Sequence, residues 1–569
     1  MPLATATVRI SRPAAGQLRR WLRRSFSTAT PEECDVVIVG GGPVGLALAS
    51  ALGSSQLVRE SLRVALVEAS DLSKIRDWTP QLGTFSNRAS SLTHKSQTFL
   101  KDIRAWDHVE EERTCPIQDM QVWDGISDAR IEFSASLLNL GAPTQGMARM
   151  TENLNLQRAL LRHLNSVPEV EILDKSKVRT ITNESDTGEW PLVHLDNGRT
   201  LRSRLVVGAD GFNSPVRSFA KITSYGWAYD TQAIVATMFH PTRETFIGRS
   251  TTAFQRFLPT GPIAFLPLSD VASSLVWSTK PPLATAMMAS GPEVLSRMIN
   301  AAFRLPDVSM RYLNQVILDA HRAGVPVTGP QIQAEIAWRE RTHGIDETSA
   351  YASASVDPMK EGVPPTDAEL LPPLVKSIQP ATIASFPLRF NHTDSYLGEG
   401  QGSRTVLLGD AAHTVHPLAG QGLNLGLADV ECLSRCIQEA LRNGGDIGSR
   451  TALLPYAQER YFENHKIMSV MDKLHKLYST SYEPVVWARS VGLEVVNELD
   501  SMKAGLMMEA SGKGLGGSSG WDFAANAVET LAATAGAAGA VRAGLVGALT
   551  TAAQNVLKTD KSISSNNNH

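Results

Sequence analysis

Cysteine is scarce, with four in 569 residues: Cys34, Cys115, Cys432 and Cys436. So few and so scattered, they exclude a disulfide framework. Cys432 and Cys436 share one face of a predicted helix, but two thiols do not complete a metal site, and they read as packing residues. An excess of one charge is also lacking: 54 Lys and Arg against 57 Asp and Glu leave a net charge of −3. Bulk electrostatics therefore argue against nucleic acid as a partner. No uncharged apolar run is long enough to span a bilayer. The longest lies near the C-terminus and is broken by Arg542. The chain reads as soluble or peripheral. What is present is ordinary globular composition, 43% hydrophobic and 20% charged, in a chain long enough for more than one domain.

The first stretch differs from the rest. Arg9, Arg12, Arg19, Arg20, Arg23 and Arg24 occur before the first acid, Glu32, with Ser, Thr and Ala between them. Arg-rich, Ser-containing and acid-free is the composition of a mitochondrial transit peptide, expected over residues 1–30. No long apolar core follows the charges, so a secretory signal fits worse.

Asp35-Val36-Val37-Ile38-Val39 is a β-branched run that reads as a buried parallel strand. Glycines follow at once, then a helical stretch over 46–52, then a second apolar run, Val64–Val67, ending in Glu68. This is one βαβ unit. Residues 151–165 predict a helix, and 192–207 a hairpin turning at Asp196-Asn197-Gly198. From 230 to 290 the pattern favours strands. Residues 355–380 are rich in acid and in proline (Pro364, Pro365, Pro372, Pro373 and Pro380 among them) and read as a surface insertion with little regular structure. Another short strand, 405–408, precedes a long helix from about 421, and further helices fill 450–510. A Gly/Ser linker over 511–520 leads to an Ala-rich helical stretch, 521–558, with Gly536, Ala540, Gly544 and Ala548 on one side, and then a polar end.

Gly40-Gly41-Gly42-Pro43-Val44-Gly45 supplies Gly-x-Gly-x-x-Gly between strand and helix. Gly40 makes the tight turn, Gly42 admits a pyrophosphate, and Gly45 lets helix and strand pack closely. The helix N-terminus, opening at Pro43 and Val44, favours an anion. Glu68, 23 residues after Gly45, stands where a carboxylate can accept the hydrogen bonds of a ribose diol. FAD and NAD both fit this unit alone. Two further stretches follow: Val206-Val207-Gly208-Ala209-Asp210-Gly211, and Val406-Leu407-Leu408-Gly409-Asp410-Ala411-Ala412-His413, which runs on through His416-Pro417-Leu418-Ala419-Gly420-Gln421-Gly422-Leu423-Asn424 to Asp429. Asp410, His413 and His416 suggest a metal site only if the surrounding glycines are ignored. No metal is expected.

These three stretches, in this order, resemble the flavoprotein aromatic hydroxylases of the para-hydroxybenzoate hydroxylase type. The run from His416 to Asp429 resembles the signature of their ubiquinone-biosynthesis branch, as do 254–259 and 261–268. Ser385-Phe386-Pro387-Leu388 is a weaker likeness. The resemblance covers about 34–510 apart from an insertion near 300–380. It implies an α/β fold: a Rossmann-like FAD-binding domain (34–225, completed by 396–510 with C-terminal helices) and an inserted, mostly antiparallel substrate domain (226–395). It implies FAD held by the residues named above, with Asp210 and Gly211 at the pyrophosphate, Gly409 and Asp410 at the ribityl chain, Pro417 and Gly420 to Asn424 at the flavin, and Arg88 near the cofactor. Phe254, Arg256, Phe257 and Pro267 are candidates for the substrate pocket, or for simple strand packing.

The activity implied is hydroxylation of a polyprenylated 4-hydroxybenzoate or related phenol, at carbon 5 with a second position left open, by dioxygen through a flavin C4a-hydroperoxide. Such chemistry belongs to the cofactor. No nucleophilic triad is needed, and no catalytic acid or base is assigned. The resemblance also implies electrons from ferredoxin and its reductase, membership of a ubiquinone-biosynthesis complex, and peripheral contact with the matrix side of the mitochondrial inner membrane. The competing readings are a related hydroxylase acting on another aromatic compound, and a flavin-bearing scaffold. A disulfide oxidoreductase is disfavoured, because no Cys-x-x-Cys follows the first helix.

Overall fold

The structure, a computed structural model, describes residues 30–138, 146–184, 190–242, 244–245, 248–249, 251–354, 368–416, 420–498, 503 and 506–507. Residues 1–29 of the expected transit peptide, Pro417 and the Gly/Ser and Ala-rich stretches expected at the C-terminus lie outside the described residues. Five strands run parallel in the order Val170–Leu173, Val64–Val67, Glu32–Val39, Thr200–Gly208 and Thr405–Leu407. Their apolar runs are buried without a polar break: Val36 to Ile38 and Leu205 to Val207 are wholly inaccessible, as a parallel sheet with covered faces requires. Thr200–Gly208 changes partner along its length. Its first half pairs with Pro191–Leu195 in the expected hairpin, and Gly198 at the turn has φ +88°. Its second half pairs with Thr405–Leu407.

The helix Pro43–Ser54 packs against two others, Asn153–Asn165 and Gln421–Arg442. Its Gly45, Leu46, Ala47, Leu48 and Ala49 are all buried.

The second unit is a nine-stranded sheet. Its main order is His413–Thr414, Ala384–Thr393, Ser224–Phe239, Ala272–Thr279, Gly261–Pro267, Thr252–Leu258, Asp119–Asp124 and Arg130–Ser134, and Ser377–Ile378 pairs beside Ser224–Phe239. All pairings are antiparallel except Thr252–Leu258 with Asp119–Asp124. Helices Pro281–Arg304, Asp307–Arg322 and Gly329–Thr342 share an apolar core with this sheet.

Two boundaries differ from those expected. Residues 119–134 were assigned to the nucleotide-binding part, yet they form two strands of the second sheet. Strand Thr252–Leu258 takes Asp119–Asp124 as its outer partner, a pairing between segments 133 residues apart (252 against 119) that local pattern does not reveal. The end of the Pro-rich segment is not loose surface either. Leu371, Val375 and Ile378 are buried, and Asn300 clamps the backbone of Val375 through both its carbonyl (3.0 Å) and its N–H (2.8 Å).

Candidate cofactor and substrate site

The register brings the three glycine–aspartate stretches together. Val67 lies beside Val39, Val39 beside Gly208, and Gly208 beside Leu407. Glu68, Gly40, Asp210 and Gly409 therefore leave the carboxyl ends of four adjacent parallel strands, where α/β sheets bind nucleotides. Gly40 has φ +110°, and a Cβ there would meet the Ala209 carbonyl oxygen at 2.3 Å. A Cβ on Gly45 would sit 1.9 Å from the Gly40 oxygen. Only glycine fits either place. Gly42 differs, because its Cβ position faces open space, as a backbone that admits a pyrophosphate requires. It is the N-cap of Pro43–Ser54, with no side-chain cap and Pro43 in the first turn, so the free N–H groups face outward. Val44 touches the other end of the site: a Cβ on Gly426 would lie 2.6 Å from its Cγ2, and one on Gly409 3.3 Å.

Glu68 sits where expected, and its Oε2 accepts from the Gly41 N–H at 2.5 Å. Asp210 Oδ2 accepts from the Val216 N–H at 3.2 Å, while its Oδ1 is buried without a partner among the described atoms. Burial raises the Asp210 carboxyl above its usual range, against the pull of Ser214 and Val216. An orphaned buried carboxylate oxygen at the strand ends suits a hydroxyl or another hydrogen-bond donor brought by a ligand. Asp410 is crowded by protein on its flanks, which raises its carboxyl by desolvation, yet its own surface is open. That combination marks a residue lining a crevice. Arg217 ties the second stretch to the third, donating to the Phe212 (2.5 Å) and Ala411 (2.8 Å) carbonyls.

The third stretch is fixed by Asp429, which is fully buried. Its Oδ2 accepts from the Gly409 N–H at 3.1 Å and lies 2.7 Å from His413 Nε2, while Oδ1 accepts from Arg460 Nε (2.9 Å) and Asn464 Nδ2 (3.0 Å). Burial pushes this carboxyl up, but His413, Arg460 and Asn464 outweigh it and hold it at about 2. His413 is thus committed to a carboxylate, and His416 points elsewhere, into a cluster with Tyr229 and His475.

Gly420 caps the helix Gln421–Arg442 with φ +63° and no side-chain cap. Gln421, Gly422 and Leu423 follow half-buried in its first turn, so this second free helix N-terminus also faces the site. Asn424 is differently employed. Its Oδ1 accepts from Thr93 N (3.0 Å) and Ser96 Oγ (2.8 Å), and its Nδ2 donates to the Ser91 carbonyl (2.7 Å). It pins the strand Ala89–Thr93 to the helix rather than presenting its amide to a ligand. Gly211 (φ +78°) has open space at its Cβ position.

Beside this crevice is a cavity of about 780 Å³. Arg88, His416, Gly420 and Gln421 line the cofactor end. Farther in, the walls are apolar: Met120, Phe133, Ala264, Val276, Leu474 and Val496 are among them, drawn from the nine-stranded sheet and the helices Arg450–Tyr478 and Glu483–Glu498. Arg88 is exposed on a loop that Gln379 clamps through the Phe85 backbone at both ends, 3.1 Å each way.

Of the four expected pocket residues, Phe257 lines this cavity. Phe254 and Arg256 do not, because alternate residues of a strand face opposite sides. Gln255 and Phe257 face the cavity. Phe254 packs among the covering helices, and the buried Arg256 guanidinium donates to the carbonyls of Ala302 (3.0 Å), Leu305 (2.9 Å) and Gly125 (3.3 Å). Pro267 lies apart, near His240 and Pro373. No group of three or more His, Cys, Asp or Glu suited to a metal ion occurs among the described residues. Tyr229, His475 and Asp429 were not singled out as site residues. Only Asp429 carried a signal, its place at the end of the third motif.

A strand-end crevice with these glycines, opening onto an apolar cavity, fits an FAD-dependent monooxygenase, and the comparisons with known proteins place the chain in that class. An FAD-binding domain family matches residues 33–322 and 286–469. Two solved structures share the fold: p-nitrophenol 4-monooxygenase from Pseudomonas putida (16% identical, TM-score 0.55, 84% of this chain and 98% of that one), and a probable FAD-dependent monooxygenase from Pseudomonas aeruginosa (21%, TM-score 0.53, 81% and 99%). Three relatives are each named as a mitochondrial ubiquinone biosynthesis monooxygenase COQ6. That of Schizosaccharomyces pombe is 36% identical over 82% of this chain and 90% of its own. Those of Saccharomyces cerevisiae (37%; 85% and 96%) and Homo sapiens (35%; 88% and 97%) are similar. The chain belongs to the COQ6 family of ubiquinone-biosynthesis monooxygenases.

Proposed function

We propose that the chain hydroxylates the aromatic ring of a polyprenylated 4-hydroxybenzoate or related phenol at carbon 5. The observation that carries this reading is the cavity. Its wall is overwhelmingly apolar, its volume is about 780 Å³, and one end abuts the cofactor crevice. A prenyl tail recovers about 25 cal/mol per Å² of apolar surface that such a wall removes from water, while a small polar aromatic acid gains little there.

FAD, when bound, supplies the activated oxygen atom. The remaining work falls to this chain. Gly42, Pro43 and the free N–H groups behind them would hold the pyrophosphate, Glu68 the ribose, and Asp410 a hydroxyl of the ribityl chain. The uncapped helix N-terminus at Gly420 and Gln421 would stabilise negative charge on the reduced ring. The apolar walls exclude water from the transfer. Electrons come from ferredoxin and its reductase. The setting proposed is the matrix face of the mitochondrial inner membrane, within a ubiquinone-biosynthesis complex, with the prenyl substrate delivered from the bilayer. No helix among the described residues is long and apolar enough to cross a membrane, which is compatible with peripheral contact. The test is turnover of a prenylated 4-hydroxybenzoate under isotopically labelled dioxygen. One labelled atom in a 5-hydroxylated product is expected, and product without label would refute the reading.

A further inference from the structure

Helix Arg450–Tyr478 packs one face against strands Ser224–Phe239 and Ala384–Thr393, where Met468 meets Tyr229, Leu388 and Phe390. The opposite face is exposed or half-buried. On it, Phe462, Lys466, Ser469, Lys473 and Lys476 recur at steps of four, three, four and three residues, which sets them in one stripe. The stripe carries three lysines and no acid. Phe462 is 67% exposed and the Lys476 side chain 63%. Of the two acids in the same span, Glu463 lies off the stripe. Asp472 is turned inward, where its Oδ1 accepts from the Tyr229 hydroxyl at 3.0 Å and its Oδ2 reaches Lys476 Nζ at 2.7 Å.

Two exposed aromatics carry the stripe onto the neighbouring strand. The Trp227 ring lies 4.9 Å below Lys476 Nζ and stacks on Phe390 at 4.4 Å. Tyr225 pairs in register with His392, whose Nδ1 is 3.1 Å from Nε2 of His465, the residue before Lys466. Three large aromatic side chains left open beside three lysines mark a contact surface, because folding alone gains nothing from exposing them. Lys473 identifies what that surface meets. It belongs to the stripe and also lines the apolar cavity, so the stripe runs along the cavity's rim. A protein seated there would cover the rim. A bilayer seated there would leave a lipid's tail a path into the cavity without crossing water, sparing about 25 cal/mol for each Å² of tail surface. The composition suits a bilayer as well. Trp and Tyr rings settle at headgroup depth. Lysine buries its apolar stem and keeps its ammonium among the headgroups, and clustered lysines favour anionic ones.

We propose that the stripe over 462–476, extended by Trp227 and Tyr225, is the face by which the protein docks on an anionic bilayer, with the cavity rim at Lys473 turned to the lipid. This rests on the prenylated-substrate reading above. It adds which surface meets the membrane and which lipid charge that surface selects.

The test uses the chain from residue 31 onward, loaded with FAD, because the arginines before it would themselves bind anionic lipid. The probes are vesicles of phosphatidylcholine alone and of phosphatidylcholine mixed with cardiolipin. Co-sedimentation measures partitioning, and circular dichroism and flavin content verify folding. The double variant Lys466→Gln, Lys476→Gln is expected to bind cardiolipin vesicles about 20-fold more weakly, each lysine at an anionic surface contributing roughly fivefold, with binding to pure phosphatidylcholine little changed. Phe462→Ser is expected to lose roughly tenfold on both kinds of vesicle. Turnover of a short-tailed phenol added from water holds in both variants, while turnover of a long-tailed one carried in cardiolipin vesicles falls with the partitioning. Variants that bind vesicles as tightly as the unsubstituted protein overturn this face. So does an unsubstituted protein that ignores lipid and uses the stripe to pair with a second copy. An unsubstituted protein that turns over no long-tailed phenol even in detergent overturns the substrate reading, whatever the vesicles show.

Discussion

Asp429 offers the sharpest separation of stability from cofactor retention. Its two oxygens serve Gly409 N–H, His413, Arg460 and Asn464, and both Asp429 and Arg460 are buried, at 0% and 5% exposure. In Asp429→Ala the Arg460 cation keeps its burial and loses its counter-charge, a change that costs about 3–5 kcal/mol. The pH dependence is a second measure. A carboxyl held at about 2 against an ordinary 3.8 contributes about 2 kcal/mol of linkage. The folded pKa is the lower one, so this stability is complete above pH 4 and is lost as pH falls through 2. Asp429→Ala should therefore have a flatter acid limb in its unfolding free energy. The double variant Asp429→Leu, Arg460→Leu removes the orphaned cation and should recover much of the stability. It should not recover flavin, because the Gly409 N–H has lost the acceptor that fixes the turn carrying Asp410. Urea midpoints and visible flavin absorbance after gel filtration measure the two quantities. A double variant that is stable and fully yellow would refute the anchoring role.

Three further outcomes follow from the geometry. Gly42→Ala has room for its Cβ, so it should fold normally yet bind FAD roughly tenfold more weakly, whereas Gly45→Ala, with its Cβ 1.9 Å from a carbonyl oxygen, should fail to accumulate as folded protein; circular dichroism and flavin titration distinguish the two. Arg256→Met should lower stability by about 2–4 kcal/mol in a denaturant titration with KM unchanged, because its guanidinium serves three backbone carbonyls and not the cavity. Ala264→Phe, set in the cavity wall, should leave turnover of an unprenylated or short-tailed phenol intact and raise KM for a long-tailed one about tenfold or more in steady-state assays.

Much of the crevice was legible because its causes are local. Gly40, Gly42 and Gly45 announce themselves by spacing, and an unbroken run such as Val36 to Val39 leaves few alternatives to a buried strand. Glu68 follows from the length of one βαβ unit. The cavity was not legible. Much of its apolar wall comes from segments 120–133, 253–278 and 470–496, and nothing local tells Asp119–Asp124 that its partner lies beyond residue 250. Arg256 illustrates the same limit. Its motif drew attention to the whole run 254–259, but which side of the strand meets the cavity depends on which face the helices 281–342 cover.

The same division explains where specificity resides. The strand-end crevice is built by short, rigid geometry: glycines whose Cβ would collide, two uncapped helix N-termini and a carboxylate fully committed to four partners. Such a construction tolerates little change and can serve any FAD-dependent reaction. The cavity is built by side-chain size across long separations, and its lining depends on how helices Arg450–Tyr478 and Glu483–Glu498 seat on the sheet. That seating is itself fixed by a buried bidentate pair, Arg489 with Asp124 at 2.9 Å for both bonds, which joins the helix Glu483–Glu498 to the strand Asp119–Asp124, next to the sheet's edge. Removing either partner strands the other as a buried charge, so the pair restrains the cavity's width without touching the cofactor. Substrate choice can thus be altered at the Ala264, Val276 and Leu474 wall, or through the Arg489–Asp124 latch, while flavin binding stays as it is.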